Sequence, residues 1–496
     1  MNRHVNVSTL PTRGLLINGA WEDGSAGTFE VRNPHDRSVL HQVGNCSLDD
    51  VDRAVAAAKA AQPAWAAISN VGRAKIMRNI HRLFLERAEP IAQMITAEIG
   101  KTITDAREEV FEYSAPSWGK AAEEILRHRG LSFPSTQEQT NNKRLVMNHR
   151  PLGVVSVITP YNFPTDISSI ALAHIIAAGN TVIWKPSEYS AVCCAMLADL
   201  MKEAGLPDGV LNVVQGKGDV GNALVEHSDV KGVFFTGSTR TGRGIAEKCA
   251  LRPHLLELGG DGPFIILEDA DIDAAVDGAI NGCFYYSGQV CTSAERLLVH
   301  EAVYDEFVEK FRAKARKLKI GDPSNEDTEM GPLCNEDTLS RVKSHVDDAR
   351  AKGAEIEQIG KEEGLYFPAT ILTNVTTDMK IMQEETFGPV APIMKIRDAE
   401  EAIEIANSTG LGLIASLWTR DLATAWRVGE ALPHGSVNIN ETSNYWDQLA
   451  PFGGTGNSGV GRELSQWFLQ TFTEPKLLVF DLGGDAKYNR RAEGGW

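Results

Sequence analysis

Apolar residues in the first 130 positions recur mostly at helical spacing. From Asp49 to Ala66 the alanines, with Val51 and Val55, fall three or four apart, and the pattern resumes from Gly72 to Ile99. Both stretches predict amphipathic helices. Arg107 to Arg127 reads as a further helix kinked at Pro116, whose ring removes a backbone donor. Ahead of them, Leu16-Ile17-Asn18-Gly19-Ala20-Trp21 and a Gly/Ser turn lead into a short strand around Phe29–Arg32.

At Pro151 the period changes. Val154–Thr159, Thr181–Lys185, Val210–Val214, Val233–Thr236 and Leu255–Leu258 are short apolar runs, with helical stretches at Ile167–Ala178 and Ala191–Ala204 between them. Strands apolar on both faces that alternate with helices predict an α/β fold with a parallel sheet covered on each side. Ligands of such sheets lie beyond the carboxyl ends of the strands, so the residues after each strand are the ones to read for chemistry. A second alternating region spans Asp261 to Asn438, with strands at Arg296–His300, Ala415–Trp418 and Ser436–Asn438 and a helix at Val303–Leu318. The polar, Gly-containing tail 485–496 is expected to be mobile.

Bulk properties narrow the field. A chain of 496 residues exceeds one compact core, which implies two or three domains. The net charge of -17 argues against a nucleic-acid binder, which needs a basic face. No stretch is long and apolar enough for a membrane span, and the first residues lack a secretory apolar core, so a cytoplasmic protein is expected. Seven cysteines, an odd number without CxxC or zinc spacing, disfavour a disulfide scaffold and any metal site. What remains is whether one thiol is reactive.

Cys193, Cys194 and Cys249 lie in helical stretches and read as core. Cys291 instead sits in Ser287-Gly288-Gln289-Val290-Cys291-Thr292-Ser293, a polar loop of the accessible kind that a nucleophilic thiol needs. Glu257 closes an otherwise apolar strand; it is either a solvent-facing acid or a carboxylate whose apolar surroundings raise its pKa and suit it to base catalysis. Asn162, after the first strand, can form a turn or donate to a developing oxyanion. Gly216-Lys217-Gly218-Asp219-Val220-Gly221 matches GxGxxG, but it follows the third strand, and a Gly-rich turn explains it equally well. Thr236-Gly237-Ser238 opens a helix and can hold a pyrophosphate or simply cap it. Lys185-Pro186-Ser187-Glu188 offers an acid for ribose hydroxyls or a solvated turn.

Taken in order, these segments resemble the aldehyde dehydrogenase superfamily. The resemblance is carried by Ile158-Thr159-Pro160-Tyr161-Asn162-Phe163-Pro164, Lys185-Pro186-Ser187-Glu188, Phe235-Thr236-Gly237-Ser238, Glu257-Leu258-Gly259-Gly260, Gly288-Gln289-Val290-Cys291, Glu385-Thr386-Phe387-Gly388-Pro389 and Pro451-Phe452-Gly453-Gly454. It implies an aldehyde dehydrogenase-like α/β fold: an NAD(P)-binding domain of residues 1–131 and 151–259 and a catalytic domain of residues 260–459. A small β element of residues 132–150 and 460–484 would make homodimers or homotetramers. It also implies Cys291 as nucleophile, Asn162 as oxyanion donor and Glu257 as the base for water. The cofactor, NAD with NADP possible, would meet Thr159, Pro160, Lys185, Ser187, Glu188, Gly218, Gly237, Ser238, Leu258, Gly259, Glu385 and Phe387.

The implied aldehyde pocket comprises Phe163, Ile167, Ile170, Tyr285, Tyr286, Val290, Thr292 and Trp446. Tyrosines and a threonine suit a small polar or acidic semialdehyde; the aromatic rings suit a benzaldehyde-type substrate. No arginine stands out as a carboxylate anchor, Arg296 and Arg240 having no place assigned. Three departures from the common pattern are Tyr161 for a frequent Trp, Ala171 for a frequent lysine, and Thr455-Gly456-Asn457, expected near the substrate mouth. The presence of Glu257 favours water over CoA as acyl acceptor, and the complete motif set disfavours a non-catalytic member.

Overall fold

The structure is a computed structural model that describes residues 14–136 and 142–482. The expected mobile tail 485–496 lies outside the described residues. Five strands, Val154–Ile158, Thr181–Lys185, Leu211–Val214, Val230–Thr236 and His254–Glu257, run parallel at the centre of an eight-stranded sheet. Leu15–Ile17 extends it antiparallel beside Leu211–Val214, and Gly459–Val460 closes the other edge beside Glu257.

Side-chain alternation explains why those strands read as continuous apolar runs. Val155 and Val157 face a core with Trp65, Trp118 and Trp184, whereas Val154 and Ile158 face a second core with Val51, Val55 and Leu224. Because all five central strands are parallel, their carboxyl ends share one edge. In register, Ile158 pairs with Lys185 and Phe235, and Thr236 pairs with Glu257. A second sheet of seven strands carries Pro263–Ile266 and Arg296–His300 at its centre, with Ala369–Thr373, Val390–Ile396, Ile414–Trp418 and Ser436–Ile439 among the others.

The helical half departs from the sequence reading in two places. The apolar stretch ending at Ile99 is two helices, Asn70–Glu86 and Ala88–Ile99, broken at Arg87. Pro90 sits in the first turn of the second, where a missing N–H costs nothing. The kink near Pro116 is a π-helical turn, Glu109–Ser114, between the helices Ile103–Glu108 and Ala115–Arg127. It carries the buried Glu109 under the Asn162 loop.

A separate three-stranded sheet joins Leu131–Phe133, Lys143–Pro151 and Thr473–Asp481. It is narrower than the expected bridging segment 460–484, because Gly459–Val460 belongs to the first sheet and the helix Ser465–Thr471 packs its Phe468 into that sheet's core.

Arg296 proves structural. Its guanidinium is fully buried, pairs with Asp261 at 2.8 Å and donates to the carbonyls of Ile405 and Ala406 at 2.8 and 3.0 Å. Arg296→Met leaves the Asp261 charge buried and unpaired, so unfolding free energy should fall by about 3–5 kcal/mol in a urea titration. A fall below about 1 kcal/mol, the scale of a surface pair, would contradict this placement.

Candidate active site

The loop that presents Cys291 is strained and heavily braced. Tyr286, Ser287 and Gly288 take consecutive left-handed φ values of 45°, 54° and 69°, a conformation that costs on the order of 1–3 kcal/mol per non-glycine residue. A side chain at Gly288 would bring its Cβ within 2.2 Å of the Gly388 carbonyl oxygen. The Tyr286 hydroxyl donates to the Ile99 carbonyl (3.0 Å), Ser287 Oγ to that of Gly331 (2.8 Å) and Ser293 Oγ to that of Gly288 (3.1 Å). Gln289 completes the frame, its side-chain oxygen accepting from Cys334 N at 2.9 Å and from the Tyr161 hydroxyl at 3.3 Å. Six of the seven cysteines are buried; Cys291 is part exposed.

Asn162 and Glu257 arrive from the carboxyl edge of the first sheet. The Asn162 amide donates to the Gln289 carbonyl at 3.1 Å, two residues before the thiol, and an amide has a second N–H to offer. Glu257 ends the strand His254–Glu257, is 3% exposed, and its Oε1 has no hydrogen-bond partner. Burial, then the neighbouring Glu463, pushes its carboxyl well above the ordinary carboxylate range; the Cys291 thiol offsets part of this. Glu463 is itself pushed up by burial, to about 8. The Cys291 thiol is raised by burial, then by Glu257 and Glu385. A carboxyl group held this way is a candidate general base that opens as pH rises.

Two cavities meet at these groups, and Cys291 and Glu257 line both. The first, about 270 Å³, includes Phe163, Ile167, Ile170, Tyr285, Val290, Thr292 and Trp446 from the sequence reading. Tyr286 is a correction: the left-handed turn rotates it away, and it is buried with its hydroxyl on Ile99. Thr455-Gly456-Asn457 is another, since it pairs with Leu411–Gly412 and does not line this cavity. Ala171 is fully buried in the core. Several lining residues escaped the sequence reading. Tyr113 packs tilted against Trp446 with ring centroids 4.9 Å apart, Asn444 accepts from Thr292 Oγ1 at 2.8 Å, and Asp166 and Glu463 also line the wall. Asp166, four residues past Asn162 at a helix start, was the one within reach; Tyr113 is too distant in sequence to signal itself.

The second cavity brings together Pro160, Asn162, Gly237, Ser238, Leu258, Gly259, Glu385 and Phe387. Ser238 caps the helix Thr239–Cys249, its Oγ accepting from Thr241 N, at a helix N-terminus open to an anion. A Cβ at Gly259 would come 2.6 Å from the Glu385 carboxylate, so glycine lets the two chains approach. Glu385 in turn accepts from Gly260 N at 3.2 Å, while the buried Glu295 accepts from Thr386 N and Phe387 N at 2.7 and 2.6 Å.

Thr159 is a correction here. It is buried beneath the loop, its Oγ1 accepting from Trp184 Nε1 (2.9 Å) and Ser168 Oγ (3.1 Å), and it does not line the cavity. Lys185, Ser187 and Glu188 end the adjacent strand, outside this cavity but beside Tyr189, which borders it. Lys185 Nζ donates to the Pro186 carbonyl at 2.9 Å and lies 4.0 Å from Glu188. Gly218 opens the helix Gly218–Glu226, also outside the cavity, with no atom within 4 Å of an added Cβ, so no close approach demands glycine there.

A braced thiol and a buried acid thus lie at the carboxyl edge of a parallel α/β sheet, the place where such folds bind their ligands. Residues 21–478 match the aldehyde dehydrogenase family, and the chain belongs to it. It is 40% identical over 485 residues to a succinate-semialdehyde dehydrogenase [NADP(+)] of Escherichia coli, covering 96% of this chain and 100% of that one. It is 39% identical to a glutarate-semialdehyde dehydrogenase of Pseudomonas putida, covering 94% and 97%. A Staphylococcus aureus betaine aldehyde dehydrogenase solved with NAD+ superposes with a TM-score of 0.92 at 32% identity, covering 97% and 96%. The protein is an NAD(P)-dependent aldehyde dehydrogenase with the aldehyde dehydrogenase fold.

The burial pattern predicts that iodoacetamide labels Cys291 ahead of the six other thiols, and that labelling accelerates as pH is raised from neutrality. The sign follows from the raised thiol pKa, since alkylation needs the thiolate. Peptide mass spectrometry across a pH series checks it; labelling that is pH-independent, or that falls mainly on another cysteine, contradicts it.

Proposed function

We propose that Cys291 is the nucleophile, Asn162 the oxyanion donor and Glu257 the base in oxidation of a small polar or acidic semialdehyde to its acid. The observation that carries this reading is the position of Cys291 and Glu257 in both cavities at once. The Cys291 thiol gives its proton to solvent, its sulfur bonds to the aldehyde carbon as the C=O π bond opens onto oxygen, and the resulting oxyanion would receive hydrogen bonds from the Asn162 side chain and the Cys291 backbone N–H. Ser238, Glu385 and Phe387 in the second cavity would hold a nicotinamide cofactor, which would supply the hydride acceptor for oxidation at the aldehyde carbon to the thioester level. Glu257 then takes a proton from water, whose oxygen attacks the thioester carbon; the C–S bond breaks and the acid leaves.

Ser238 and the helix it caps would hold the pyrophosphate, Lys185, Ser187 and Glu188 the adenosine ribose, and Glu385 the nicotinamide ribose. The carboxylate of Glu188 repels a 2′-phosphate, which supports NAD as the preferred cofactor. The short polar aldehydes in the relatives' names support the substrate class. The aromatic wall of Tyr113, Phe163, Tyr285 and Trp446 also favours a second reading, an aromatic aldehyde. We further propose a cytoplasmic homo-oligomer. Seven free cysteines suit a reducing compartment. The strand Thr473–Asp481 is an edge strand that exposes Leu477, Val479 and Phe480, a surface suited to a second copy of the chain.

The test is reduced-nicotinamide formation across short aliphatic, semialdehyde and aromatic aldehydes, with NAD or NADP and with or without CoA. Turnover without CoA, lower KM for NAD, better rates with small polar-tailed aldehydes than with aliphatic or aromatic ones, and complete loss in Cys291→Ala are expected. Turnover that requires CoA, or that survives Cys291→Ala, sinks the mechanism; a lower KM for NADP sinks the cofactor preference.

A further inference from the structure

The carboxyl group of Asp166 has no role in the chemistry above, yet it lines the same cavity as Cys291. It is 2% exposed, and its Oδ1 has no hydrogen-bond partner. A buried polar atom without a partner costs roughly 1–3 kcal/mol, so its persistence beside an open cavity calls for an explanation. The backbone around it is fixed. Glu109 Oε1 accepts from Asp166 N at 3.1 Å, from Thr165 N at 2.9 Å and from Thr165 Oγ1 at 2.9 Å, while its other oxygen pairs with the buried Lys101. Lys101 in turn lies 3.6 Å above the Phe163 ring. This network holds Asp166 against the cavity wall instead of letting it turn to solvent.

We propose that Asp166 reads the distal end of the aldehyde and selects a hydroxyl group there, narrowing the small polar class to its hydroxylated members. The inference rests on the reading that the Cys291 cavity takes the aldehyde. Three features of the wall support it. No lysine or arginine lines the cavity among the described residues, Lys101 and Lys120 acting on Asp166 only from behind the wall, so a tail carboxylate would face the acids Glu108, Asp166 and Glu463 directly. Burial, then the charge on Glu109, raises the Asp166 carboxyl well above the usual range, the sign of a wall that disfavours charge. A tail hydroxyl can donate to the unpartnered Oδ1 without bringing a charge into that wall. A methyl-terminated tail would leave Oδ1 unsatisfied, and an ammonium tail would have to leave water for a buried wall.

The experiment compares kcat/KM for four aldehydes of equal chain length ending in methyl, hydroxyl, carboxylate or ammonium, in the wild type, Asp166→Asn and Asp166→Leu. The hydroxyl-terminated aldehyde should be best in the wild type. Its advantage over the methyl-terminated one should collapse roughly 10- to 100-fold in Asp166→Leu, the loss of one buried hydrogen bond, and be kept in Asp166→Asn, which retains a donor and an acceptor at similar size. Should Asp166→Leu not fold, the wild type and Asp166→Asn still decide the matter. A carboxylate or ammonium tail ranking first, or a hydroxyl preference unchanged in Asp166→Leu, overturns the inference. Turnover of none of the four, with the enzyme folded and binding NAD, overturns the Cys291 reading as well, so the two failures are distinguishable.

Discussion

Five parallel strands must end at one edge, and everything functional in this chain depends on that constraint. The pairing of Ile158 with Phe235 and of Thr236 with Glu257 brings the Asn162 loop, the Ser238 helix and the Glu257 carboxyl to one rim. Cys291 comes from the other domain and meets that rim through a single loop. The Asn162 amide on the Gln289 carbonyl, and the Tyr161 hydroxyl on the Gln289 side chain, tie the two together across the domain junction. The strain of three successive left-handed residues is sustained because each side chain in the loop is anchored to a different neighbour.

The second theme is the cost of buried acids. Glu257, Glu463, Glu295, Glu385 and Asp166 are all raised, in each case first by burial. Glu295 is committed to two backbone N–H groups and Glu385 to one, so those two shape the cofactor side. Glu257 and Asp166 each keep an oxygen without a partner, and both line the Cys291 cavity. These are the two acids to which the proposal gives water and substrate as partners.

The strands were legible because runs such as Val154–Ile158 are apolar on both faces; Asn162 and Glu257 stood out as candidates because they follow and end such runs, and Cys291 because it lies in a polar loop ahead of the strand Arg296–His300. The sequence hid what depends on through-space contact. Consecutive Tyr285 and Tyr286 look equivalent in sequence, yet positive φ at Tyr286 sends it into the core while Tyr285 lines the cavity. Glu109 braces the Asn162 loop across 56 residues of chain, and no spacing signals that. The break at Arg87 was masked by unbroken apolar periodicity, with Pro90 tolerated in the first turn of the next helix.

The central claim is that one thiol and one acid act in succession on the same carbon. Its most direct test is acid-quenched intact-mass analysis of Glu257→Gln mixed with NAD and a turned-over aldehyde. One equivalent of reduced nicotinamide, no further turnover, and an acyl adduct that maps to Cys291 are expected. Sustained turnover, or a reduced-nicotinamide burst with no mass added at Cys291, would contradict it.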